Sequence, residues 1–228
     1  MVTLKVDNPG LPEQLALVDY RRCVAELYAS VREGPGDPEV RWQHYRAGRE
    51  HLFASHPQSP LSPAQQAHFH GLEYFPYDPA LRFAVPLDTA VDAADFTLEL
   101  RDDGPVRMRR CGRVNINIEN QPVSLSLFWI LGYGGGLFLP FRDQTNSHET
   151  YGGGRYLLDT IKHADLGQEG DRLVLDFNYA YNPSCAYNER WQCPLAPVEN
   201  RLPVAVRAGE HAYPSETARG SPGTPPAR

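Results

Sequence analysis

The sequence predicts a mainly β protein: an antiparallel meander closed or nearly closed into a barrel or sandwich, with N-terminal helices packed against it. Three observations lead there. After Gly71, seven short segments of alternating or apolar character follow one another as far as Tyr181. Asp-Gly, Asn-Gln-Pro and glycine-rich stretches separate them, which is the punctuation of hairpins. Before Gly71, apolar residues instead recur every three or four positions, the period of a helix. A meander of this length exposes strand edges unless it closes on itself or is covered.

The helices come first. Leu17, Tyr20, Val24, Leu27, Tyr28 and Val31 form one stripe, and Glu13, Asp19, Arg21 and Glu26 lie elsewhere on the wheel. Gly34-Pro35-Gly36 stops that helix, and Asp37-Pro38 supplies a cap and a first-turn proline for a second one running towards Phe53. Ser62-Pro63 repeats the signal for a short helix ending near Phe69. Trp42, Tyr45, Leu52 and Phe53 read as packing residues.

The strands are expected at residues 81–87, 96–101, 106–117, 123–131, 136–141, 154–163 and 172–181. In the fourth, Val123, Leu125, Leu127 and Trp129 alternate with Ser124 and Ser126, which gives one face to a core. The last alternates Leu173, Leu175 and Phe177 with Asp176 and Asn178, so a polar face either lines a lumen or meets solvent. The organisation that follows is a helical segment over residues 1–70, a β-barrel-like domain over 71–213 and a flexible tail over 214–228, where prolines are frequent and apolar periodicity is lost.

Composition narrows the functional classes. With 228 residues, 41% of them hydrophobic and 11% aromatic, the chain can build one large core. A formal charge of -6 argues against nucleic-acid binding, which needs clustered Lys and Arg to displace counterions. The one basic cluster, Arg107, Arg109, Arg110 and Arg113, reads as a solvated or substrate-facing strand face. MVTLKVDNPGLPEQ lacks the apolar run of a signal peptide, and no later run approaches a membrane span. The expectation is a cytoplasmic protein whose four scattered cysteines are reduced, with no membrane or nucleic-acid partner.

Polar residues with chemical potential concentrate between Gly134 and Glu210. Arg142, Asp143, Glu149, Tyr151 and Arg155 follow one another in a glycine-punctuated stretch. Two guanidiniums, two carboxylates and a phenol either bind a carboxylate and move a proton, or form an ion-pair network that closes one end of the fold. Cys185 and Cys193, with seven residues between them, match neither a zinc ribbon nor a CxxC redox pair. A reduced buried pair is preferred, followed by a local disulfide, then a nucleophilic Cys185 served by His148. The runs Gly132–Gly136 and Gly152–Gly154 lack the context of a nucleotide loop. Pro194, Pro197 and Pro203 predict an extended wrap over the sheet, from which Glu199 either reaches a pocket or caps backbone.

The segments SPLSP, GLEYFPYDP, PFRDQTNSHETYGGGRYL and LDFNYAYNPSCAYNERWQCPLAPVENRLPVAVRAGE, in that order, resemble the DUF1684 family of bacterial and archaeal proteins over roughly residues 40–210. The resemblance implies that Arg142, Asp143, Thr145, Glu149, Thr150, Tyr151, Gly152, Gly154, Arg155 and Tyr156 are recurring positions. It implies the same of Asp176, Asn178, Tyr181, Asn182, Pro183, Cys185, Tyr187, Cys193, Pro194, Glu199, Asn200 and Gly209. The family name implies no activity, and neither His148 nor the Arg107–Arg113 strand belongs to the pattern. The functional expectation is a cofactor-independent, metal-free enzyme (a lyase, isomerase or hydrolase) acting on a small polar or carboxylate-bearing molecule. Glu149, Asp143 and Tyr151 would be catalytic, Arg142, Arg155, Asp176 and Asn178 substrate-binding, and Cys185 the alternative nucleophile. Arg142, Asp143, Glu149, Tyr151, Arg155 and Asp176 are expected to share one cavity. The rival is a non-catalytic small-molecule-binding barrel, and a homo-oligomer is compatible with either.

Overall fold

The computed structural model describes residues 12–100 and 104–214. The expected tail, apart from Pro214, and the N-terminal stretch read for a signal peptide lie largely outside those residues.

Helix α1 (Glu13–Glu33) and α2 (Pro38–Ser55) form a hairpin, followed by the short α3 (Pro63–Ala67). The caps are those the sequence announces. Asp37 accepts from the Glu39 amide, and Ser62 makes a reciprocal capping box with Gln65, which supplies partners for amides that a helix start leaves orphaned. On α1 the buried stripe runs through Ala16, Cys23, Leu27 and Tyr28, so Leu17, expected inside, is exposed. The four packing residues expected on α2 are all buried.

The rest is β, in two antiparallel sheets. Strands β1 (Arg82–Pro86), β7 (Gln168–Glu169) and β8 (Arg172–Asp176) make one, in the order β1-β8-β7. Strands β2 (Asp95–Leu100), β3 (Gly104–Ile118), β4 (Gln121–Ile130), β5 (Gly136–Phe141) and β6 (Arg155–Asp159) make the other, in sequence order. Glu119 and Asn120, both at positive φ, form the two-residue turn that joins β3 to β4, the geometry that matches strand twist. Leu81, Val85, Ile116, Leu125, Phe141, Leu173, Leu175 and Phe177 belong to one apolar core shared by both sheets.

Two expectations about strand faces change. Leu127 points into the shared core, while its neighbour Phe128 joins Met108, Phe138 and Tyr156 in a second cluster. Both faces of β4 are therefore covered at this end. Trp129 falls where neither cluster reaches it, 44% exposed and lying against Gly135. The predicted strand 172–181 ends at Asp176, because the Asp176 carboxylate accepts the Asn178 amide at 2.9 Å and turns the chain into a 3₁₀ helix, Phe177–Tyr179. Consequently Asp176 and Asn178 do not line a lumen. Both are buried, on the side that faces the helices, and Trp42 donates its indole N–H to the Asn178 carbonyl.

The C-terminal segment wraps over the molecule as its prolines predict. Arg142 and Arg201 make a parallel bridge, with Leu202 donating to the Arg142 carbonyl at 2.7 Å and Gln144 to Val204 at 3.0 Å. Buried Asn200 fills the gap where β4 and β5 have separated, donating to Ser126 and Pro140 and accepting from the Ser126 amide. Further along, Gly209 accepts from Phe75 and Glu210 donates to Ala180. Glu199 neither enters a pocket nor caps backbone; it pairs with Arg110 through both carboxylate oxygens.

Gly209 has φ +77, and a Cβ there would stand 2.4 Å from the Ala180 carbonyl oxygen and 2.8 Å from that of Phe177. Gly209→Ala combines left-handed strain with a backbone clash and is expected to cost at least about 2 kcal/mol. Urea unfolding of the variant checks this; an unchanged midpoint would refute it.

Candidate functional site

Two of the expected site residues form an ion pair in the interior. Arg155 lies on β6 and Asp143 just beyond β5, and both side chains are 0% exposed. Arg155 Nη2 donates to Asp143 Oδ2 at 2.9 Å and to the Val206 carbonyl at 2.8 Å, while Nη1 donates to the Ala208 carbonyl. Asp143 Oδ1 accepts from the Thr145 amide, the Thr145 hydroxyl and the Val206 amide. Burial pulls the guanidinium pKa down and the Asp143 charge opposes it. Of the two readings open for these residues, the geometry is that of a fastener: the pair holds the C-terminal wrap to the β5–β6 edge.

The other expected site residues scatter. Arg142 donates to the Gly152 carbonyl. The Glu149 carboxylate makes a surface pair with Arg207. Tyr151 places its hydroxyl 3.7 Å from Cys185 Sγ, with burial pushing the phenol pKa upward. Asn178 exchanges hydrogen bonds with both the amide and the carbonyl of Asp78, pinning the loop before β1. Asp176 lines a cavity of about 200 Å³ with Arg32, Arg41 and Arg82; burial raises its pKa to about 6 against the pull of Asn178 and Arg82. The six residues expected to converge therefore do not share a cavity. Long-range packing pairs Asp143 with Arg155, leaves Glu149 at the surface with Arg207 and buries Asp176 in the wall of the smaller cavity.

A larger cavity, about 890 Å³, lies between α2, α3 and the end of the wrap. None of the eight expected site residues lines it. Its wall includes Arg46 and Glu50 from α2, His68 and His70 after α3, and Asn182, Tyr187, Glu210 and His211 from the C-terminal third. Glu210, 1% exposed, has both oxygens filled: Oε1 accepts from Arg49 Nε at 2.6 Å and Tyr74 at 3.0 Å, and Oε2 from the Asn182 amide at 2.8 Å and the Tyr187 hydroxyl. Burial, then the Glu210 charge, pushes the Tyr187 phenol well above its ordinary range, so it stays a donor.

Arg46 Nε in this wall has no partner among the described residues, and two further groups can still accept a hydrogen bond. Asn182 is 2% exposed, its Nδ2 donates to the His211 carbonyl at 2.7 Å, and its Oδ1 has no partner among the described residues. The His211 ring stacks on Phe75 with centroids 3.8 Å apart, and Nδ1 lies 3.2 Å from the Glu149 carbonyl oxygen. A carbonyl can only accept, so Nδ1 carries the proton and Nε2 of the neutral ring is the acceptor. Glu149 thus contributes to the site through its backbone. Glu210 is not among the residues the sequence singles out, and His211 stands out there only as a poorly spaced zinc ligand for the cysteines; the available signal is Asn182, Tyr187 and Gly209 among the recurring positions. Among the described residues no three His, Cys, Asp or Glu side chains gather as a metal site, and no helix is long and apolar enough to cross a membrane.

Two antiparallel sheets around one core, covered by an N-terminal helical hairpin and laced by a C-terminal wrap, define the structural class. The DUF1684 profile, described as a protein of unknown function, matches residues 67–211, and the chain belongs to that family. It is similar to an uncharacterized protein of Haloarcula marismortui solved by solution NMR, with 35% identity, a TM-score of 0.55, and coverage of 76% of this chain and 93% of that one. No curated protein matches the chain.

Separating a buried pair by removing one partner costs roughly 3–5 kcal/mol, whereas an exposed pair contributes about 1 kcal/mol or less. Asp143→Asn and Arg155→Met, each of which removes one charge of the pair, are therefore expected to lower the unfolding midpoint far more than Glu149→Gln. Equal losses in the three variants would contradict the fastener assignment.

Asp176 makes stability depend on pH. Its carboxyl titrates from 3.8 ordinarily but at about 6 in the fold, so the folded state holds the proton more tightly. The resulting stabilisation is complete below pH 4 and lost as pH rises through 6. Across about two pKa units this is on the order of 3 kcal/mol. Asp176→Asn, which keeps an acceptor for Asn178, should remove that component and be the more stable form at pH 7. Parallel pH profiles for the two proteins would overturn the assignment.

Proposed function

We propose that this protein binds a small polar organic molecule in the 890 Å³ cavity, with Asn182, Arg46 and His211 as the groups that meet it. The observation that carries the reading is the Asn182 amide. A buried acceptor without a donor costs roughly 1–3 kcal/mol, and a ligand hydroxyl or amine that displaces the side chains covering Oδ1 supplies that donor. Arg46, held over the Trp42 and Tyr74 rings, offers charge to a carboxylate on the same molecule. The two sheets, bridged at Asp88–Arg113 and Tyr156–Tyr181, act in this reading as a nearly closed barrel whose interior is apolar core, with the ligand beside it rather than inside.

Acid/base catalysis without a redox cofactor is the second reading, and His211 favours it. Its Nδ1–H is directed to the Glu149 carbonyl, which leaves Nε2 able to take a proton from a ligand hydroxyl. In that case the reaction belongs to His211, with Glu149, Asp143 and Tyr151 outside the chemistry.

A thermal-shift panel of small hydroxy acids, amino alcohols and polyols tests the binding reading. At least one compound should raise the melting temperature of the wild type, and the shift should vanish in Ala64→Trp, which fills the cavity from the exposed face of α3. His211→Gln, which removes one of the three groups that meet the ligand, should weaken that shift without abolishing it and should abolish any turnover. A panel that leaves the wild type unmoved, or a shift indifferent to Ala64→Trp, counts against the reading.

A further inference from the structure

Cys185 and Cys193 lie close together without belonging to the cavity wall. Neither is in a disulfide, and both are half-buried, so solvent reaches them. The Cys185 amide donates to Cys193 Sγ at 3.3 Å, and the two thiols are near enough to share a hydrogen bond. The Tyr151 hydroxyl, 3.7 Å from Cys185 Sγ, covers the other side. Cys23 is buried on α1, and Cys111 donates to the Leu127 carbonyl on the sheet.

We propose that Cys185 and Cys193 are a redox-active dithiol, which closes reversibly to an intramolecular disulfide by exchange with a low-molecular-weight disulfide. Cys193 is the attacking sulfur. The hydrogen bond from Cys185 brings its pKa down to about 6, helped by the Cys185 amide and the Lys162 charge, whereas the same contact and burial push Cys185 up. A thiolate, not a thiol, performs the exchange. Cys193 S⁻ attacks one sulfur of RSSR, forming Cys193–S–S–R and releasing RS⁻. With the Cys193 charge gone, Cys185 loses what held its proton, gives that proton to the released RS⁻, and attacks Cys193 Sγ. The second RS⁻ leaves and takes the proton that Cys193 had lost to solvent. The dithiol has been oxidised by two electrons and RSSR reduced to two RSH. Tyr187, which donates to Glu210, stands two residues past Cys185, so the bridge clamps the segment that carries a cavity-wall residue.

The full chain is incubated with hydroxyethyl disulfide and followed by intact mass and peptide mapping. The expected product has lost two hydrogens, contains a peptide linked through 185 and 193, and reverts with dithiothreitol. Its formation rate should rise with pH through about 6 rather than near the ordinary thiol value of about 8.5. Cys185→Ser should stop at a mixed disulfide on Cys193, and Cys193→Ser should react at Cys185 roughly tenfold more slowly or less. If either variant fails to fold, the wild-type map decides alone. Two separate mixed disulfides, a bridge to Cys23 or Cys111, or thiols that stay free under excess oxidant would overturn the proposal.

Discussion

The fold depends on one buried charge pair. Asp143 and Arg155 are fully removed from water, and such a pair holds only when the remaining donors and acceptors are also met. Here the wrap meets most of them, and Arg155 Nε alone of that guanidinium has no partner among the described residues. Val206 gives its amide to Asp143 and its carbonyl to Arg155, and Ala208 adds a second carbonyl. The Arg155 guanidinium also sits 5.2 Å from the centre of the Phe141 ring, which places part of its charge against a π face. A lysine, with one point of charge, could not serve both carbonyls and the carboxylate in this plane.

The cavity follows from that attachment. With Val206 and Ala208 held, Gly209 turns through a positive φ that brings its backbone onto Phe177 and Ala180, and Glu210 then enters the interior. There it gathers Arg49 and Tyr74 from one side and Tyr187 and Asn182 from the other. The helical layer and the β core are thus joined by a carboxylate that the wrap delivers. His211 comes next, already turned to face the Glu149 carbonyl.

Charged residues near one another in the chain end up with different duties because water treats them differently. Glu149 keeps a solvated pair with Arg207, Asp143 is shut in with Arg155, and Asp176 is buried beside arginines already engaged elsewhere: Arg32 bonds Asp165 and Arg82 bonds Glu169. Polar density along the sequence therefore marks where the scaffold is fastened. Of the buried groups left without a hydrogen-bond partner among the described residues, Asn182 Oδ1 and Arg46 Nε belong to residues in the wall of the larger cavity.

By itself the sequence determined the class of fold, the helix starts at Asp37 and Ser62, the core strands and the family, because caps, turns and periodicity act over a few residues. It also carried positions that shape the larger cavity, Asn182 and Tyr187 in its wall and Gly209 beside it, without saying what they do. Only the tertiary structure decided that Arg155 faces Asp143 and Val206, that Asp176 ends a strand instead of lining a lumen, and that Trp129 turns outward. Val206 is 63 residues from Asp143 and Glu210 is 161 from Arg49. Whether a carboxylate is a base, a fastener or a surface ion depends on the partners and the water around it, and those are set by contacts across the whole chain.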